Sequence, residues 1–398
     1  MKQQKFIRRV TEFVESRSTG TDGEYTMCSG GNVTLYASCF AAMTLHYLGS
    51  LKTTGNKRLE KWVEYINRWQ DPETGYFIGP EIVPGELRSP QHNWEHITMH
   101  LTAHALPALH VLGGRPKYPL RFAHRFLDRN TLQKWLEQRD WRQAWLEGNN
   151  LLFVGQSLIY IRDFENMRAA EDALETYFNW LDAEQDPATG LWGTNGFCDV
   201  FEALYGAYHQ LLVYWYCKRT VRYARAIMDT VLSMQHADGS FTRSGGGGAC
   251  EDVDAVYVLV NLYKRTGYKT ETVRHALEKA LRSILRNQMP CGGFINSRGK
   301  SFLQLGIAKT FVPVNTADMF ATWFRVHTIA VICQVLWDHP LAEIQWRFND
   351  ICSMGWYDSE TLERAQELKR CCKQDQVAWP RTFFRRMMCK VQRSIKSL

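Results

Sequence analysis

Nowhere in the 398 residues is there an unbroken apolar run of the about 18 residues that a membrane-spanning helix needs, so no span is expected. Clean alternation at period two never persists, which leaves no sheet of consequence. The opening segment, Met1 to Val10, carries charge but no apolar stretch, so it does not read as a secretory signal. The segment Leu112-Gly-Gly-Arg-Pro116 lacks the glycine spacing and the preceding strand of a phosphate loop and reads as a helix stop. No Ser or Cys sits in an elbow-like nucleophile context. The body of the chain has no basic stripe and no recognition motif, so no nucleic acid partner is expected. Acidic residues are missing from the last 18 positions, where Arg381, Arg385, Arg386, Lys390, Arg393 and Lys396 supply six of the charges behind a formal net charge of +7. The remainder is therefore nearly neutral, and the basicity belongs to the tail.

With Phe383, Phe384, Met387, Met388 and Val391 interleaved, a helical 381–398 would be amphipathic. Such a segment suits an anionic membrane surface or a partner groove, while the plainer reading is a solvated terminus. The 11 cysteines are an odd count, and several fall in apolar helical stretches. Together with the missing signal segment they indicate reduced thiols and a cytoplasmic protein, with peripheral contact at the inner membrane face through the tail. Hydrophobic residues make up 45% and charged residues 22%, enough apolar material for a large core.

What the chain does have is a repeat. Gln70-Asp-Pro-Glu-Thr-Gly75-Tyr-Phe77, Gln185-Asp-Pro-Ala-Thr-Gly190-Leu-Trp192, Gln235-His-Ala-Asp-Gly239-Ser-Phe241 and Gln288-Met-Pro-Cys-Gly292-Gly-Phe294 share Gln, a turn, Gly, one residue and an aromatic. The last two intervals are 50 and 53 residues and the first is 115, which implies a degenerate copy between the first two. A helix-like stretch precedes each Gln, and a second, more apolar one follows, as in Phe201 to Tyr216. The unit is an αα-hairpin with one helix more buried than the other. At about 55 residues per unit the chain holds six or seven of them. The repeated aromatic is expected to wedge between hairpins and the Gln amide to satisfy backbone groups at helix ends.

The second copy, Trp180-Leu181 through Gln185 and Gly190 to Trp192, closely resembles the QW repeat of the terpenoid cyclases, such as the squalene-hopene cyclases, and the related prenyltransferase repeat. The resemblance covers about residues 20 to 340. It implies an all-α (α/α)6 toroid, with inner helices around one central cavity. The organisation expected is a lead helix in 1–20, the toroid in 21–345, and a helical extension with the basic tail in 346–398. Toroids of this kind also serve glycan lyases and hydrolases, so the fold does not assign the chemistry.

Polar residues recur in phase shortly after the turns, where a buried helix begins. Phe77 is followed by His92, Trp94, Glu95, His96 and His100; Trp192 by Asp199, Phe201, Glu202, Tyr205 and His209; Phe241 by Glu251, Asp252 and Asp254; Phe294 by Asp318, Trp323 and Arg325. In a closed ring, equivalent positions face one axis and these groups converge at one mouth. Taken singly, Asp199 and Asp318 fit ordinary helix N-caps. Glu251, Asp252 and Asp254 exceed what a cap requires, and crowding raises at least one of their pKa values, which suits a general acid. Asp252-Val-Asp254 resembles a truncated form of the acid motif of the class II terpene cyclases, whose final Asp is Ala255 here. That resemblance assigns Asp254 the role of proton donor, with Asp252 as its neighbour.

His92, His96, His100 and His104 fall at intervals of four, on one slowly drifting helix face. Together with Glu95, Glu202 or His209 they could act as acid and base on a sugar or leave room for a divalent metal, although no cofactor and no defined metal site is expected. Three readings follow. The first is a terpenoid cyclase-like enzyme of the lyase or isomerase class, with Asp254, Asp252 and Glu251 as its acid group and Trp94, Phe201, Tyr205, Tyr257 and Trp323 lining a cavity for an isoprenoid or similar lipid. The second is a glycan-active lyase, hydrolase or epimerase using the face from His92 through His96 and His100 to His104, with Glu202, His209, Asp254 and Arg325, for acid–base work and carboxylate binding. The third is a non-catalytic scaffold. An apolar wall favours the first, a polar groove the second and a plugged centre the third.

Overall fold

The computed structural model describes residues 2–87 and 92–358; the segment 381–398 and Cys371, Cys372 and Cys389 lie outside the described residues. Among the described residues thirteen α-helices succeed one another: α1 (Lys2–Glu15), α2 (Leu35–Tyr47), α3 (Asn56–Asn67), α4 (Trp94–Val111), α5 (Arg121–His124), α6 (Arg129–Glu137), α7 (Ala144–Phe164), α8 (Ala169–Glu184), α9 (Val200–Tyr216), α10 (Ala224–Ser233), α11 (Ala249–Thr266), α12 (Thr270–Arg286) and α13 (Met319–Ile332). Only isolated bridges, and no strands, occur among the described residues. None of these helices is long and apolar enough to cross a membrane. No disulfide joins the eight described cysteines.

Six helices form a closed inner ring. Each of α2, α4, α7, α9, α11 and α13 packs on the next, and α13 packs back on α2. Their sequences are apolar around most of the circumference, so they are stable only when covered on every side. In contrast, α1, α3, α6, α8, α10 and α12 bury a single stripe; in α12 it is Val273, Ala276, Leu277, Ala280, Leu281 and Ile284, the spacing of one helix face. The helices alternate outer and inner, giving six hairpins. The expected (α/α)6 toroid is thus the fold, and Lys2–Glu15 stands as the outer helix of its first hairpin.

The repeated turn is the joint between hairpins. Gln185 Nε2 donates to Gly190 O at 2.8 Å within its own turn and to Arg222 O at 3.3 Å in the next hairpin. Gln70 spans Gly75 O and Tyr118 O in the same way, and Gln235 spans Gly239 O and Ala276 O. The amide therefore staples two hairpins rather than capping one helix. After the Gln, the aromatic residue offers its backbone N–H to the following inner helix: Phe77 to Thr102 Oγ1 (2.9 Å), Phe294 to Thr322 Oγ1 (3.0 Å) and Phe241 to Asp252 Oδ1 (3.0 Å). The intervening copy is the turn between α6 and α7, where Gln138 and Trp141 remain without a glycine between them, and Trp141 stacks on Trp180 at 5.6 Å. A further copy precedes α2. Ser18 replaces Gln, bridges to Tyr25 as Gln70 bridges to Phe77, and sequence matching on Gln passes over it.

Closure of the ring is visible at Gly292. Its φ is +99°, and a Cβ there would collide with the carbonyl of Arg9 on α1. Gly75 makes the same approach to Pro119 of the next hairpin, at φ +82°. Arg9 in turn donates to Met289 O and Pro290 O, each at 3.0 Å. The last turn of the chain thus docks on the first outer helix as every other turn docks on its successor.

All six inner helices start at the same end of the ring, where the turns lie. Thr34, Asn93, Asp199 and Asp318 cap four of them, accepting from Ala37 N, His96 N, Phe201 N and Ala321 N. The other end is closed by residues 346–358, which carry no helix. There Tyr47 Oη donates to Gly355 O at 2.6 Å and Tyr257 Oη to Trp356 O at 2.7 Å.

Candidate functional site

A cavity of about 410 Å³ occupies the axis of the ring. The centre is not plugged. Of the residues singled out from the sequence, His92, His96 and His100 of the second hairpin, Glu202 and His209 of α9, and Asp254 of α11 line it. Their convergence follows from the common phase of the inner helices around one axis.

The histidines form a ladder down α4. Ring centroids are 5.2 Å apart from His92 to His96, 6.2 Å from His96 to His100 and 4.7 Å from His100 to His104. His104 lies below the cavity against Tyr36, Phe40 and Trp323. His96 Nδ1 meets Asn150 Oδ1 and His100 Nδ1 meets the Tyr36 hydroxyl, both at 2.8 Å. Burial depresses them all: His96 falls to about 4, and His100 well below its usual range. Across the cavity, His209 is also held near 4 by burial, and its Nδ1–H donates to Tyr205 O at 2.6 Å. That bond makes Nε2 the basic nitrogen. The site therefore holds neutral imidazoles at neutral pH, able to accept a proton.

The two neighbouring aspartates diverge. Residues two apart on a helix point about 200° away from each other. Asp252 turns away from the cavity to accept from Phe241 N and from Arg325 Nη1 (3.4 Å), filling the slot that Thr102 and Thr322 fill in other hairpins. Arg325 is buried and also donates to Ile295 O and Asn296 O. Asp254 turns toward the cavity, is 1% exposed, and its Oδ2 has no hydrogen-bond partner. Burial first, then the charges of Glu251 and Asp252, push its pKa well above the carboxylate range. Its ionisation is opposed where it lines the cavity. Glu251 accepts from the Cys250 thiol at 3.2 Å.

The other expected site residues are placed elsewhere. Asp199 caps α9 and pairs with Arg243, Asp318 caps α13, and Glu95 pairs with Arg125 at the surface near Trp94, which is 38% exposed. The aromatic residues expected to line the cavity are taken up by packing. Tyr205 donates to Phe241 O, Phe201 packs on Tyr205 and His236, Tyr257 is tied to Trp356, and Trp323 lies in the core on Phe40.

The aromatic wall that does exist comes from elsewhere. Phe320 and Phe324 of α13 lie with centroids 4.5 Å apart, and Phe302 stacks on Phe320 at 4.5 Å. Trp145 and Asn149 of α7 contribute on the opposite side, and Met354 rises from the segment that closes the far end. Sequence phase does not mark α7, because the turn before it is the degenerate copy. Phe302, Gln304 and Leu305 sit on the long excursion between Phe294 and α13, where no periodicity marks them. Among the described residues, no group of three or more His, Cys, Asp or Glu is arranged to hold a metal ion.

The family model described as the prenyltransferase alpha-alpha toroid domain matches residues 6–149 and 148–301, and the chain belongs to this family. No functionally curated protein matches it in sequence. Among solved structures, it is similar to a type II terpene cyclase from Scytonema in complex with geranylgeranyl dihydroxybenzoate, at 11% identity and a TM-score of 0.50, over 84% of this chain and 98% of that one. It is also similar to a protein from Actinoplanes (12% identity, TM-score 0.45, 83% and 99% covered). A third is the GH76A alpha-1,6-mannanase from Salegentibacter sp. (11% identity, TM-score 0.48, 83% and 99% covered). At these identities the likeness is one of fold.

Proposed function

We propose that this protein is an enzyme that protonates an alkene of an isoprenoid or similar lipid within the toroid cavity, starting its cyclisation or isomerisation. The observation that carries this reading is Asp254, a carboxyl with its pKa raised by burial and its Oδ2 unpartnered, in the lining of a cavity that Phe302, Phe320 and Phe324 also line. The proton passes from the Asp254 carboxyl to one alkene carbon, the π pair forms the new C–H bond, and a cation is left on the other carbon. A second alkene closes a ring by attack on that cation, which moves the charge to its own far carbon; with or without ring closure, loss of a proton from a neighbouring C–H restores a neutral alkene. Aromatic faces favour the cation. A neutral imidazole such as His209 or His100 takes up the departing proton. The test is to incubate the protein, with and without divalent metal, with a panel of linear isoprenoids. Products are then resolved by chromatography and mass spectrometry beside Asp254→Asn. A product that the variant fails to make supports the reading; no product from any isoprenoid sinks it.

One observation favours a second reading. His92, His96 and Glu202 make a polar wall at the mouth, and such groups suit acid–base work on a glycan. Turnover of acidic oligosaccharides, lost in His96→Gln and His100→Gln, beside no product from any isoprenoid, would support it.

A further inference from the structure

The four repeat glutamines all have partners, whereas Gln304 does not. It is 3% exposed and lines the cavity, and neither its Oε1 nor its Nε2 has a hydrogen-bond partner. Its backbone, by contrast, is fully engaged. The N–H donates to Thr310 Oγ1 at 3.0 Å, and the carbonyl accepts from Ile307 N at 2.9 Å. Thr310 Oγ1, itself sealed from solvent, donates on to Ile307 O at 2.7 Å. Phe302 and Val312 exchange backbone hydrogen bonds of 3.0 and 2.8 Å at the base of this loop. Leu305, the next residue, takes the left-handed conformation at φ +52°, a cost for a non-glycine residue. The loop is thus built rigidly, with one strained residue, and it leaves a single buried amide unanswered. A buried amide with no partner is costly and asks for one.

We propose that Gln304 orients the substrate, its amide pairing with an uncharged oxygen-bearing head group, a hydroxyl or an un-ionised carboxyl, on the lipid whose alkene Asp254 protonates. This rests on the acid-catalysed reading above. A primary amide presents a donor and an acceptor side by side, and a hydroxyl or carboxylic acid can answer both, while a hydrocarbon answers neither. The surroundings call for a neutral ligand. Among the described residues no Lys or Arg lines the cavity, and Arg325 is taken up by Asp252 and two carbonyls. Burial keeps His96, His100 and His209 uncharged at neutral pH, so a phosphate or diphosphate would find no balancing cation on these walls. The cavity lies at the lower end of the about 300–1,000 Å³ typical of small-molecule sites, which directs the choice of probe to short prenyl chains.

The test is binding to the full chain, followed by tryptophan fluorescence, with farnesol, the hydrocarbon bearing methyl in place of its hydroxymethyl group, and farnesyl diphosphate. Wild type should bind farnesol about tenfold more tightly than the hydrocarbon, the worth of one hydrogen bond to a buried partner. Gln304→Leu should abolish that ratio while keeping its affinity for the hydrocarbon. The melting temperature of Gln304→Leu should equal or exceed that of wild type, because an orphaned amide has been removed. The proposal is overturned if Gln304→Leu keeps the preference, if it melts lower and binds neither ligand, or if the diphosphate binds best. Failure of wild type to bind any of the three removes the isoprenoid reading itself, and this inference with it.

Discussion

Arg325 Nη1 lies 3.4 Å from Asp252 Oδ2, and neither side chain reaches solvent. The pair ties α11 to α13 and, through Asp252, to the turn that carries Phe241. It also separates two aspartates that stand two residues apart. Asp252 is committed to holding the ring together and has a pKa of about 6, raised by burial and pulled back by Arg325. Asp254, with no cation beside it, keeps its proton.

Removing Arg325 leaves Asp252 buried without its counter-charge. Arg325→Met should cost about 3–5 kcal/mol of stability, the usual penalty for breaking a buried pair. In Arg325→Met with Asp252→Asn the loss should be smaller, because the stranded charge is gone. Urea denaturation of both variants checks this, and equal losses would show that the charge pairing is not what Arg325 contributes.

Asp254 should make the protein weaker in alkali. A carboxyl with a raised folded pKa contributes its full stability below the unfolded value near 3.8, and loses it as pH rises through the folded value. Relative to wild type, Asp254→Asn should therefore gain about 1.4 kcal/mol per pH unit from about pH 4 upward, until the folded carboxyl ionises. A pH series of denaturation midpoints measures the difference, and a flat one would contradict an un-ionised Asp254.

His327 should act in the opposite direction. It is fully buried among Tyr47, Tyr257 and Trp323, both ring nitrogens lack partners, and burial lowers its pKa to about 3. Its stability contribution is complete above the unfolded value near 6.5 and is lost as pH falls from there toward the folded value. Between pH 8 and pH 5, wild type should lose about 2 kcal/mol more than His327→Leu. Thermal melts of the two proteins at both pH values give the comparison.

Gly292 closes the ring. Alanine there must hold φ near +99° and push its Cβ into the Arg9 carbonyl, so Gly292→Ala should cost about 2–3 kcal/mol or more. Gly30 also has a positive φ, +70°, but open space where a Cβ would go, so Gly30→Ala should cost only about 1 kcal/mol. If the two variants unfold at the same denaturant concentration, contact between the last turn and α1 does not stabilise the ring.

Much of this architecture is legible in the chain. The Gln–Gly–aromatic turns are set by local chemistry: the turn needs glycine at positive φ, and the amide needs carbonyls to bind. Both requirements recur at four of the joints, and so does the motif. The copy at Ser18–Tyr25 escaped notice because bridge formation needs only the backbone, and the residue at its first position is free to change. The histidine ladder was legible for a similar reason, since a spacing of four keeps side chains on one helix face wherever that helix docks.

Helix period alone does not tell which side of α11 faces the axis; the resemblance assigns the proton donor to Asp254, and the contact that occupies Asp252 comes from Arg325, 73 residues away in sequence. Gln304 carried no periodic signal because its loop is held by hydrogen bonds to Thr310 and Val312 rather than by a helix. The chain by itself determined the hairpin and its repetition, because these depend on contacts within about one unit. Only the tertiary structure decided which acid stays protonated, which aromatic residues wall the cavity and where an unanswered amide waits, because burial and charge at those sites are set by residues brought together when the ring closes.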